Sequence, residues 1–118
     1  MAAPNMLNLS GAVGKTFFAN LTSTANTTLI AGNANQVFKI NNITVANLDA
    51  TTGYDVTMYI ANNSTVTAFA YQITVPAKSS LVVNDKSGQF YLEEDQQIQG
   101  GTSASNKLSV LISYEILS

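Results

Sequence analysis

Glu93-Glu94-Asp95, with Asp49 and Asp55 elsewhere in the chain, is the densest set of groups able to take up a cation or move a proton. Carboxylates and carbonyls are the ligands of hard cations, but cation loops space their acids alternately and this run does not. It reads as a solvated acidic turn. A glycosidase pair built from the same acids would need neighbours that split their pKa values, and none flanks them. Gly14-Lys15-Thr16 has the ending of a phosphate loop, yet that motif needs a glycine five residues before Gly14, where Leu9 stands.

The remaining chemistry is thinner still. The chain has no His, Cys, Trp or Arg. It therefore lacks the usual general base, the thiol nucleophile and soft metal ligand, and the bidentate phosphate clamp. We expect no catalytic residues, no metal site and no cofactor. Asn20-Leu21-Thr22, Asn26-Thr27-Thr28, Asn42-Ile43-Thr44 and Asn63-Ser64-Thr65 fit the glycosylation pattern. In a chain so rich in Asn and Thr, composition alone produces such matches.

Contact, rather than reaction, is what the side chains offer. Only 10% of the 118 residues are charged, and 46% are hydrophobic. An ordinary soluble domain has about 25% charged residues, so much of this surface must be uncharged amide and hydroxyl. Low charge and edges poor in Lys favour association, so a homo-oligomer is expected. Lys15, Lys39, Lys78, Lys86 and Lys107 are scattered and the net charge is −2, so nucleic acid is not an expected partner. No stretch approaches the ~20 apolar residues that span a bilayer, and Met1–Leu7 has no basic or long apolar region of a secretory signal. Synthesis and assembly in a cytoplasm, without a membrane, is the expectation.

The elements that must position these surfaces are strands. Val, Ile, Thr, Tyr and Phe recur in short runs punctuated by Asn and Gly. The expected strands are Lys15–Leu21, Thr27–Ala31, Gln36–Leu48, Asp55–Ala61, Val66–Val75, Ser80–Asn84, Gln89–Leu92, Gln96–Gln99 and Leu108–Leu117. In the last, Leu108, Val110, Ile112, Tyr114 and Ile116 share one face, with Ser109, Ser113, Glu115, Leu111 and Leu117 opposite, as in a long central strand. The apolar parity switches between Phe38, Ile40 and Ile43, Val45, which calls for a bulge at Asn41-Asn42. The fold class is all-β, an antiparallel β-sandwich of jelly-roll or Ig-like type. Residues 1–14, with Pro4, Gly11 and Gly14, form an extended N-terminal arm, and residues 15–118 form the sandwich.

Partner-binding candidates follow from this frame. Met6, Leu7, Leu9 and Val13 make the arm apolar enough to lie on a partner. Alternation places Phe38, Phe69, Tyr71 and Tyr114 inside. Tyr54, beside the Gly53 turn, and Tyr59 are the expected exposed pair, suited to a contact surface or a host glycan.

Several phrases also carry a resemblance: Ala3–Leu9 with Gly14-Lys15-Thr16, Val37–Asn47, Thr74–Val83, Phe90–Glu94 and Val110–Ile116. Through them the chain resembles the small β-sandwich virion proteins of tailed bacteriophages, especially phages of marine bacteria. The resemblance spans nearly the whole chain and contains no catalytic signature. It implies a structural part of a virus particle: a capsid decoration or cement protein whose partner is the major capsid protein, with a trimer as the favoured oligomer. A neck, tail or fibre component is the alternative.

Overall fold

A computed structural model describes residues 11–22, 27–62, 65–104 and 106–118. Nine strands follow one another among these residues: β1 (Ala12–Asn20), β2 (Thr27–Ala31), β3 (Val37–Asn47), β4 (Tyr54–Asn62), β5 (Thr65–Val75), β6 (Ser80–Asn84), β7 (Phe90–Leu92), β8 (Gln96–Thr102) and β9 (Leu108–Leu117). A 3-10 turn, Lys86–Gly88, lies between β6 and β7, with the Asp85 carboxylate accepting from the N–H groups of Ser87 and Gly88 at its start.

All pairings are antiparallel and form two sheets. The first runs β1-β9-β3-β6, with β7 continuing alongside β3, and the second runs β2-β8-β4-β5. The pairs are therefore nested: β1 with β9, β2 with β8, β3 with β6 and β7, β4 with β5. A chain folded back on itself in this mirrored order and wrapped into two sheets is a jelly roll, which decides between the two sandwich types expected from sequence.

The expected bulge is present, since the β3–β9 register slips between Ile40 and Asn42. The slip lets Phe38 and Ile40 on one side of it and Ile43 and Val45 on the other all face the core. Ile112 and Val110 on β9, Val56 and Met58 on β4, and Ile98 on β8 meet them between the sheets. Burying each such side chain stabilises the fold by roughly 1.5–3 kcal/mol.

Two polar details fix the frame. Asn47 is buried, and its Nδ2 donates to the carbonyls of Thr52 (2.9 Å) and Val75 (2.8 Å), while its Oδ1 accepts from the Asp49 N–H at 2.8 Å. One side chain thus ties the end of β3, in the first sheet, to the end of β5, in the second. Gly32 lies where β2 meets the β7–β8 turn, and a Cβ there would stand 2.0 Å from the Glu93 carbonyl oxygen. Only glycine lets the two backbones approach so closely.

The arm boundary needs correction. Ala12, Val13 and Gly14 belong to β1, opposite Leu117, Ile116 and Glu115, because β9 continues to Leu117 and holds them in register. Gly11 and Ser118 close that end with two backbone hydrogen bonds of 3.1 and 3.0 Å. No helix among the described residues is long and apolar enough to cross a membrane.

Candidate functional site

Strand alternation turns Ser109, Leu111, Ser113 and Glu115 of β9 away from the core. Register then decides what stands beside them. Phe18 on β1 and Thr44 on β3 both pair with Leu111, and Val82 on β6 pairs with Thr44. Cross-strand partners share a face, so Phe18, Leu111, Thr44 and Val82 form one row across four strands on the outside of the first sheet. Three of them are large apolar residues left in solvent, with Phe18 74%, Leu111 46% and Val82 54% exposed.

Small neighbours deepen this row. Ala46 and Ser109 beside Phe18 and Leu111 leave a trough of about 520 Å³. Polar groups flank it: Ser109 Oγ donates to Asn20 Oδ1 at 2.6 Å and Thr44 Oγ1 to Asn42 Oδ1 at 2.7 Å. An apolar centre with hydrogen-bonded polar groups beside it is the anatomy of a protein interface.

The row begins on a strand whose outer edge is unpaired among the described residues. β1 holds nine consecutive pairs with β9 without a slip, and Lys15 is its sole charge. The other edges are different. β2 has five residues and a slip between Thr28 and Ile30, β6 has five residues and β7 three. β5 is long but slips twice against β4, and Gln72 there has a left-handed φ of 48°. Short or bulged edges resist pairing with another chain, and a long regular one invites it.

Among the residues singled out from sequence, Met6, Leu7 and Leu9 lie outside the described residues. Val13 lies on β1 and is 53% exposed. Tyr54 and Tyr59 do not form an exposed pair. Five positions apart on one strand, they point to opposite faces. Tyr54 packs against the core, with its hydroxyl 3.3 Å from Asp49 Oδ2, and Tyr59 is half-buried on the outer face. Phe38 and Tyr114 do pack inside, ring centroids 5.4 Å apart, but Phe69 and Tyr71 are exposed. The two slips in β5 fall at these residues, so the even alternation assumed for that strand does not hold. Phe69 is turned edge-on to Phe90 at 5.7 Å, bridging the sheets along that side.

The acids take structural positions. Asp49 accepts from the N–H groups of Thr51 (2.8 Å) and Thr52 (3.1 Å) and lies 3.5 Å from Lys107 Nζ. The Thr51 N–H first and the Thr52 N–H next hold its carboxyl at about 2, below the ordinary 3.8. Asp85 is also lowered, chiefly by the Ser87 hydroxyl. Glu93 sits in the turn closed by its carbonyl and the Gln96 N–H at 3.0 Å. Gly14-Lys15-Thr16 lies within the extended strand β1.

The apolar row was missed from sequence, although Leu111 is the odd apolar residue on the outer face of β9. Only register brings Phe18 and Val82 into line with it.

No protein-family model and no curated protein sequence matches this chain. Among solved structures it is similar to the nucleoplasmin-like N-terminal domain of Drosophila FKBP39, at 18% identity and a TM-score of 0.49 over 89% of this chain and 91% of that one. It is also similar to a pentameric capsid protein from metagenomic phage sequences in two crystal structures. Both likenesses have 11% identity and cover 97% of this chain, with TM-scores of 0.37 and 0.36, and the chain spans 62% and 64% of their lengths.

Proposed function

We propose that this chain is a non-enzymatic structural protein of a bacteriophage particle, a capsid decoration or cement protein that binds the major capsid protein on the outside of the shell. One observation carries the reading: the exposed row Phe18, Leu111, Val82 starts on β1, the one long and unbroken free edge among the described residues. A flat apolar face and an unpaired strand edge on one side of a sandwich suit a protein that covers a surface and joins its own copies there. The resemblance of the strand and turn phrases to phage virion proteins supports the same reading. The jelly roll is a fold shared by viral capsid and lectin domains, a supporting analogy.

The mechanism is passive. The apolar row lies on the capsid subunits while β1 meets a neighbouring copy, with three copies around a local three-fold axis. Area buried across a junction adds to the free energy of separating the subunits, so each bound copy strengthens the shell by mass action.

The test is the copy number of this chain in purified particles, by quantitative mass spectrometry against the major capsid protein. A ratio near one, or a simple fraction such as about one third as three-fold clustering would produce, supports the cement role. A few copies per particle assign the chain to the neck, tail or fibre instead, and absence from particles overturns the structural reading.

A further inference from the structure

The opposite face of the sandwich carries a different kind of site. On the outside of the second sheet, Asp55, Thr57 and Tyr59 of β4 and Tyr71 and Gln72 of β5 border a depression of about 230 Å³, to which Gly101 contributes bare backbone. Gly101 pairs with Thr57, so the place where a cross-strand side chain would stand is open. The β5 bulge turns Tyr71 outward, 62% exposed, and sets Gln72 beside it. A bulge re-aims side chains in this way, and a non-glycine residue held at φ 48° is a costly conformation retained at that spot.

The polar groups here are partly engaged and partly free. Thr57 Oγ1 accepts from the Gln72 N–H at 3.0 Å, Ser103 Oγ accepts from the Asp55 N–H at 2.9 Å, and Asp55 Oδ1 accepts from Thr74 Oγ1 at 2.7 Å. These bonds fix the border. Asp55 Oδ2, the Gln72 side-chain amide and the hydroxyls of Tyr59 and Tyr71 have no hydrogen-bond partner among the described residues.

We propose that this depression binds one unit of a neutral glycan. Tyrosine rings present flat apolar faces to the C–H faces of a sugar, while a carboxylate and an amide receive and donate hydrogen bonds to neighbouring hydroxyls. No cation lines the depression, which disfavours an anionic ligand, and the single carboxylate is too few for a hard metal ion. The space is smaller than the roughly 300–1,000 Å³ of pockets that enclose drug-sized ligands, and it is open, as suits one ring of a longer chain passing over the surface. Because the site faces away from the apolar row, it can be occupied whether or not the chain sits on a shell.

The experiment is an ¹H–¹⁵N NMR titration of the full chain with maltohexaose, cellohexaose, a β-galactan oligosaccharide and, as an acidic probe, sialyllactose. Binding is expected for at least one neutral sugar, with saturable shifts at the amides of Thr57, Gln72, Gly101 and Ser103. Tyr71→Ala and Asp55→Asn should each weaken it about tenfold, the effect of one lost contact. Tyr71 is an exposed edge side chain, so the rest of that variant's spectrum reports an intact fold. Three results overturn the proposal: no saturable shift at these amides with any neutral sugar, affinity unchanged in both variants, or preferential binding of sialyllactose.

Discussion

The two long edges of this sandwich are built from similar residues and handle solvent in opposite ways. β1 and β5 each contain two Ala and two aromatic residues, and both end a sheet. β5 slips twice, holds Gln72 left-handed and turns Phe69 onto Phe90 across the gap between sheets. β1 does none of this. Its nine pairs run in unbroken register, and its Phe18 faces solvent. Propensity cannot account for the difference. A bulge protects an edge by breaking the ladder that another strand would join, and its absence on β1 leaves that ladder usable.

The largest expected effect lies on the β1 side. Replacing Phe18 and Leu111 together by Lys should weaken self-association and binding to capsids by about 3–4 kcal/mol, a hundredfold to a thousandfold. Analytical ultracentrifugation and a particle-binding assay measure it. Val66→Lys on β5, also at an exposed apolar residue, should change neither. Equal effects at the two edges would break the comparison.

Next is the tie that holds the β5 end in place. Asn47→Ala removes the donor to the Thr52 and Val75 carbonyls and should cost about 2–3 kcal/mol in urea unfolding. A smaller effect follows at the bulge itself, where Gln72→Gly should stabilise by about 0.5–1 kcal/mol, because glycine adopts positive φ without a Cβ clash. A loss of stability there would mean that the Gln72 side chain contributes to the fold, sharpening the view of the β5 edge as a built feature.

The last prediction concerns the turn after β3. Asp49 titrates at about 2 in the fold against an ordinary 3.8, so its ionised form stabilises the folded state. That contribution is complete above the ordinary value and disappears as pH falls through about 2. Thermal unfolding followed across this acid range should therefore fall more steeply with decreasing pH in the natural protein than in Asp49→Asn.

Much of the fold is legible without coordinates. The runs Thr27–Ala31, Ser80–Asn84 and Leu108–Leu117 coincide with β2, β6 and β9, since alternation and turn residues act locally. The parity switch around Asn41-Asn42 located the β3 bulge because four core residues demanded it. The slips in β5 left no such mark: Phe69, Tyr71, Ile73 and Val75 alternate cleanly, and an edge strand can break alternation without emptying the core. The Gly53 turn beside Tyr54 suggests exposure, but the odd spacing from Tyr59 puts the two on opposite faces of one strand.

Composition and periodicity by themselves thus determined an all-β chain with a surface poor in charge, because those properties depend on side-chain chemistry and on neighbours two positions apart. The nested pairing, the alignment of Phe18 with Leu111 and Val82, and the placing of Tyr59 and Tyr71 around one depression were decided only by tertiary structure. Each depends on register between strands far apart in sequence, and register is set by how the whole core packs.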